Sequence, residues 1–210
     1  MKNRGQYDIE YKNCSCFWGS KPSKYTELIP DYISSGRVLD LGAGEGKNSF
    51  YLASLGFKVV AIDVSLYAIK NFINKAIKEI KNKKSKIENI DIICADVVDW
   101  PMDGKFDVVI AYGLFHCLKS EKEISLLINK MKVATKKGGV NVICTFTNEI
   151  GVPKIQGYLN PTFLPKMALK EKYYNSWEVL NYESDVIEHK HPTSNKLHKH
   201  SVCRMIARKK

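Results

Sequence analysis

The stretch Val38-Leu-Asp-Leu-Gly-Ala-Gly-Glu-Gly-Lys-Asn-Ser49 carries the reading of the fold. A short apolar run enters alternating glycines and passes directly into a helical pattern. A junction of that kind bares backbone N–H groups at the positive end of a helix, where a ligand can approach unhindered. Gly42 and Gly44 supply the close approach, with Ala43 between them. Twenty-one residues past Gly42 the next strand-like run ends in Ala61-Ile62-Asp63, a carboxylate placed to accept two ribose hydroxyls. A third acid, Asp96, follows the third run in Cys94-Ala-Asp-Val97. A nicotinamide-binding turn would read G-x-G-x-x-G. Here the third glycine, Gly46, comes one position early, and Asp40 precedes the loop inside the strand. Three acidic strand ends suit a ligand with a ribose, an amine and a cationic centre.

Outward from this junction, short β-rich runs alternate with helical ones. Strands are expected at residues 37–41, 57–62, 90–95, 105–111 and 140–147, and helices at residues 47–55, 65–81 and 121–135. Tyr25, Leu28, Ile29, Tyr32 and Ile33 recur at helical spacing, which predicts an amphipathic helix over residues 23–34. Lys136-Lys137-Gly138-Gly139 reads as a turn. Repeated β-α-β units imply parallel strands with crossover helices on both faces. Beyond Thr147 the pattern changes to a glycine- and proline-bearing excursion, residues 148–174, with one short helix at residues 166–172. Two final runs, 177–189 and 198–208, are expected to pair antiparallel. The expected fold is α/β: a doubly wound, seven-stranded, mostly parallel sheet with an antiparallel C-terminal hairpin. One domain spans residues 1–210, divided into an N-terminal cap (1–36), a core (37–147), a cover (148–176) and a closing hairpin (177–210).

The 44% hydrophobic and 26% charged fractions are those of a globular protein, and no apolar run approaches the length of a membrane span. The N-terminus has no apolar segment of the secretory kind, so the expected location is cytoplasmic. The net charge of +11 raises a nucleic-acid reading, but only four of the 33 basic residues are arginine. Lysine is a hydrated point charge, and its concentration between Lys70 and Lys86 reads as a solvated face. Nucleic acid is therefore not the expected partner; anionic small molecules fit the charge. The six cysteines are scattered; Cys94, Cys144 and Cys203 lie in apolar runs and read as buried. Cys14-x-Cys16 lacks a second pair at zinc spacing, and no metal site is expected. The chain is expected to be a monomer or homodimer.

The segment Asp40 to Gly46, together with Asp63 and Asp96, resembles the first three motifs of class I S-adenosylmethionine-dependent methyltransferases. The resemblance implies S-adenosyl-L-methionine as cofactor. The glycine loop (Gly42, Ala43, Gly44) would lie under its methionine part, Asp63 with Val64 at the ribose, and Asp96 with Val97 at the adenine. Ala111 and Tyr112 would border the sulfonium, with Asp40 and Asn48 beside the loop. Phe17-Trp18-Gly19 would close as an aromatic lid, or Trp18 would be a buried anchor. A narrower resemblance is to the TehB-type tellurite-resistance methyltransferases, carried by residues 46–53, Lys137-Gly-Gly139, residues 173–177 and residues 205–210. That group carries a His–Arg pair after its sixth strand; here Lys190 follows His189.

On the acceptor side, four of the five histidines (His189, His191, His198 and His200) fall within twelve residues. In a strand, residues i and i+2 share a face, so each His-x-His pair projects together. The turn between the last two strands would lie at the carboxyl edge of the sheet, where open α/β sheets bind ligands. His189 and His191 are candidates for proton handling or anion contact; the alternatives are a polar hairpin tip and a divalent metal site. His116, after the fourth strand, is a candidate base or a loop anchor. The expected activity is methyl transfer to a small molecule: a chalcogen oxyanion, a thiol, or a small O or N nucleophile. The alternatives are a nucleic-acid methyltransferase and a catalytically silent cofactor-binding module. Residues 160–163 resemble the amino-methylating signature only superficially and read as turn chemistry.

Overall fold

The computed structural model describes residues 4–81, 87–153, 160–189 and 197–210. Its seven strands are β1 (Arg37–Leu41), β2 (Lys58–Asp63), β3 (Ile90–Cys94), β4 (Phe106–Tyr112), β5 (Thr135–Phe146), β6 (Trp177–His189) and β7 (His198–Lys209). They form one sheet in the order β3-β2-β1-β4-β5-β7-β6. Strands β1 to β5 pair in parallel, while β7 is antiparallel to both β5 and β6. The order reverses between β1 and β4, and at such a switch the crossovers leave to opposite sides and open a crevice at the carboxyl ends. The sheet matches the sequence expectation, including the hairpin.

Five helices accompany it: α1 (Arg4–Asn13), α2 (Lys47–Ser54), α3 (Leu66–Lys81), α4 (Glu121–Ala134) and α5 (Ala168–Lys172). Successive strand residues face opposite sides, and the core divides accordingly. Val38, Val59, Val108, Val142 and Ile206 pack with Leu52 and Ala53 of α2 and Phe72 of α3. Leu39, Leu41, Val109 and Met205 face the other way, against Leu127 and Met131 of α4 and Leu169 of α5. Both helix starts that lean on serine are capped: Ser65 Oγ accepts from Ala68 N–H, and Ser120 Oγ from Glu123 N–H.

Four local expectations are corrected. Residues 23–34 form turns and a single 3-10 turn, Ile29–Asp31, rather than an amphipathic helix. Pro30 offers no N–H and disfavours helical backbone at Ile29. The apolar spacing still reports burial, since Tyr25 and Ile29 are both in the core. The turn expected at residues 136–139 is absorbed into β5 as a bulge, the register stepping from Phe106↔Thr135 to Val108↔Val140. Cys94 is exposed, because β3 is an edge strand with a neighbour on one side only. Residues 160–163 close no turn: Thr162 N–H and Oγ1–H are taken by the carbonyls of His116 and Leu118, and Leu164 bridges Thr147. No helix among the described residues is long and apolar enough to cross a membrane.

Candidate active site

The glycine loop is suspended from its neighbouring strand. Gly42 and Ala43 both donate to the Ile62 carbonyl, at 2.8 and 2.9 Å, so the turn after β1 is fixed to the end of β2. Gly44 N–H then donates to Asp63 Oδ2 at 2.8 Å, and Ser65 N–H to Oδ1 at 2.9 Å. A carboxylate offers about four lone-pair positions. With Val64 N–H also bonded, about one remains on Asp63 for a ligand hydroxyl. Burial pushes the Asp63 carboxyl up, and the backbone N–H bonds from Ser65, Gly44 and Val64 oppose it.

Asp40 lies one strand over, buried on the α2 face, with Ser49 Oγ donating to Oδ2 at 2.7 Å. Burial raises its carboxyl to about 6, with the Ser49 bond opposing and the Asp63 charge reinforcing. Asp96, at the end of β3, is half-buried and accepts from Val98 N–H at 3.0 Å. The three acids thus stand at the carboxyl ends of β1, β2 and β3, beside a loop of bare backbone. A side chain on Gly44 would fill the cradle, its Cβ falling 2.9 Å from Tyr11 Oη.

That contact introduces residues the sequence reading missed. Helix α1 covers the junction: Tyr11 is buried, its hydroxyl accepts from Trp18 Nε1–H at 3.0 Å, and its carbonyl accepts from Asn71 Nδ2. Asp8 accepts a short hydrogen bond from Ser65 Oγ. Glu45, inside the glycine loop, is buried and accepts from Phe17 N–H (2.9 Å) and Asn71 Nδ2 (3.1 Å). The i, i+4 pair Tyr7 and Tyr11 was the available signal for this helix. Trp18 packs edge-on against Phe17 at 4.7 Å and tilted against Tyr7 at 5.9 Å. It lies above the glycine loop through Tyr11.

The other expected residues divide. Ala111 is fully buried under the loop that follows β4, and the half-buried Tyr112 stands at the carboxyl end of that strand. Val64 is buried, and Val97 sits wholly within the α4-side core. Asn48 is buried, and its Oδ1 accepts from Ser23 N–H at 2.9 Å, tying the cap to α2.

His116 is buried and stacked on Phe146 at 3.8 Å; Phe146 stacks in turn on His200 at 4.4 Å. Burial lowers the His116 imidazole to about 3, so it is neutral at physiological pH. Its Nδ1 has no hydrogen-bond partner among the described residues, and its carbonyl receives Thr162 N–H of the cover. His198 and His200 are buried, so this part of the hairpin is not a solvated polar tip. His189 ends β6, paired with His198 in the ladder, and His191 lies outside the described residues. No group of three metal-ligating side chains occurs among the described residues.

The family described as "Tellurite resistance protein TehB" matches residues 23–202. A Haemophilus influenzae relative named "Probable S-adenosyl-L-methionine-dependent methyltransferase TehB" is 34% identical over 179 residues, covering 85% of this chain and 59% of its own length. The chain thus spans about three-fifths of the curated relative it matches. The solved structure of TehB from Haemophilus influenzae superposes with a TM-score of 0.74 at 27% identity, covering 90% of this chain and 62% of that one. The magnesium protoporphyrin IX methyltransferase of Synechocystis PCC 6803, solved with bound SAM, shares the fold at a TM-score of 0.61 and 15% identity, over 100% of this chain and 82% of that one. With the family pattern running from the cap to the last strand, over a sheet and a glycine junction of the kind just described, this chain belongs to the TehB family.

Proposed function

We propose that this chain transfers a methyl group from S-adenosyl-L-methionine to a small-molecule acceptor, a chalcogen oxyanion or thiol first and a small O or N nucleophile next. The observation that carries the reading is the bond from Gly44 N–H to Asp63. It fixes the glycine turn against a carboxylate whose acceptor positions, about four, are not all taken by backbone N–H groups. Asp63 would hold the ribose hydroxyls, Asp96 the adenine amine, and Asp40, beside the glycine loop, the ammonium of the methionine part. When bound, the cofactor supplies an electrophilic methyl carbon on a sulfonium. The chain's own task is alignment and water exclusion, and positioning alone contributes up to about 7–11 kcal/mol in well-oriented displacements. Tyr112 borders the reacting centre from β4, Trp18 and Tyr11 close the cap over the loop, and the cover anchored at His116 shields the acceptor side. His189 and His191 are assigned to the acceptor side as anion or proton contacts. A neutral, buried His116 is suited to holding the cover rather than to carrying a proton away at neutral pH.

The relatives' names and the SAM-bound neighbour support the same cofactor. Calorimetry with S-adenosylhomocysteine is the test. Tight binding is expected in the wild type, weakened by about 1.5–3 kcal/mol in Asp63→Asn, the worth of hydrogen bonds to a charged group. Binding of a nicotinamide dinucleotide in its place would overturn the assignment.

A further inference from the structure

Helix α3 has faces of different kinds. Ala68, Ile69, Phe72 and Ala76 are buried against the body of the protein. Asn71 Nδ2 donates to the Tyr11 carbonyl at 2.8 Å, and Lys75 pairs with Glu45 at 3.6 Å, so this side is engaged as well. The remaining face, expected from its lysines to be solvated, carries Leu66, Ile73, Ile77 and Ile80, which are 42–63% exposed. At 3.6 residues per turn these four fall within an arc of about 60°, an aliphatic stripe along the length of the helix. Lys70, Lys81 and Lys78 follow on the adjoining arc, all exposed.

No acid shares this outward face. Glu79, the one acid of α3, falls at that spacing on the buried side and is half-buried. Past the helix, the exposed Glu88 is one acid against three lysines. Asp91 points to the opposite face of the sheet, since Ile90 and Ile92 pack on the α3 side.

Aliphatic side chains gathered in one exposed row, rather than scattered singly, mark an interaction surface. The chemistry of the row separates its possible occupants. Protein interfaces are enriched in aromatic residues, methionine and arginine and depleted in lysine, whereas aliphatic residues and lysine dominate this face. A second copy docked on the same patch would set lysine against lysine, with no acid on the face to pair them. Lysine stems lie along apolar surface and raise their ammonium groups to a polar boundary, which suits phosphate headgroups above acyl chains.

We infer that this face of α3 docks on an anionic lipid bilayer, the aliphatic stripe entering the headgroup boundary and the lysines meeting lipid phosphates. The helix lies on the flank of the sheet, so docking through it leaves the crevice at the carboxyl ends of the strands uncovered. The inference stands independently of the methyl-transfer reading.

The test is co-sedimentation of the full chain with vesicles of equal parts phosphatidylglycerol and phosphatidylcholine, against vesicles of phosphatidylcholine alone. The wild type is expected to favour the anionic vesicles at low salt and to be released as salt rises to about 0.5 M. Ile73→Gln combined with Ile77→Gln is expected to weaken binding about 10-fold or more with little change in a circular-dichroism melt. Ile80→Gln, near the helix end and 59% exposed, repeats the comparison with less demand on the fold and should lose about threefold. Lys70→Gln, Lys78→Gln and Lys81→Gln together should lose about 10- to 100-fold. The charge-matched control, Lys119→Gln, Lys122→Gln and Lys137→Gln, removes exposed lysines elsewhere and should lose less than about threefold. Absence of wild-type binding, or full binding by both isoleucine variants, would overturn the proposal. So would equal losses in the two lysine triples, which would reduce the effect to the general attraction of a chain with a net charge of +11. Equilibrium sedimentation without lipid completes the test: self-association abolished by the isoleucine pair would assign the face to a second copy instead.

Discussion

Asp40 carries a carboxyl group into the interior at the end of β1, where one hydroxyl, from Ser49, donates to it. Its carboxyl is raised from 3.8 to about 6, so near neutrality the folded chain maintains a charge that burial disfavours. Each unit of such a shift corresponds to about 1.4 kcal/mol, which puts the cost of ionised Asp40 at about 2–3 kcal/mol. The charge is the feature that an ammonium ligand uses. Asp40→Asn is therefore expected to raise the urea midpoint of the ligand-free protein at pH 7.5 and to weaken S-adenosylhomocysteine binding in the same sample. In the wild type that affinity should decline as pH falls below about 6, where Asp40 takes up a proton; in Asp40→Asn the profile over that range should be flat. A variant that is both less stable and weaker in binding would remove Asp40 from the ammonium role. Asp40, Asp63 and Asp96 were legible as a set because each ends a strand. Ser49 and Glu45 were not, because their partners Asp40 and Phe17 are 9 and 28 residues away and no local pattern marks them.

At the scale of elements, β1, α2, β2 and α3 were readable from periodicity and punctuation alone, since each buries a face that its own sequence describes. Three features were not, and the reason is shared: their conformation is set by a neighbour. Residues 23–34 bury the expected side chains without a helix, since Pro30 interrupts it and Asn48 and β6 supply anchors from outside. The Lys136–Gly139 stretch is drawn into β5 by pairing with Phe106. Helix α1 is short and polar and takes its place from Ser65 and Asn71 across the junction. The early third glycine has a packing explanation: a Cβ on Gly46, where φ is 83°, would fall 2.3 Å from the Phe72 ring of α3. Gly46→Ala should destabilise the chain by about 2–4 kcal/mol, combining left-handed strain with overpacking. Phe72→Leu in the same chain should recover part of the loss in denaturant melts, whereas simple additivity of the two changes would show that the ring is not the obstacle.

For the molecule as a whole, two buried groups make opposite demands on pH. His116, lowered to about 3, is neutral when folded, whereas the unfolded chain takes up a proton near 6.5. Between those values the unfolded state binds the extra proton, so this contribution to stability is present above about 6.5 and is lost as pH falls toward 3. Asp40, raised to about 6, behaves in reverse: between about 4 and 6 the folded state binds the extra proton, and its contribution grows as pH falls. Each slope is at most about 1.4 kcal/mol per pH unit, so between pH 4 and 6 they largely cancel. Substitution separates them. In Asp40→Asn the His116 contribution is no longer offset by Asp40, and urea midpoints should fall more steeply from pH 6.5 to 4 than in the wild type. In His116→Gln the Asp40 contribution is no longer offset by the imidazole, and midpoints should rise relative to the wild type over pH 6 to 4. The double variant should be nearly level there, apart from background shared by all four proteins. Parallel profiles in the two single variants would mean that neither group carries its proton difference between the folded and unfolded states. Asp40 and the cover anchor would then contribute nothing to the acid response of the chain.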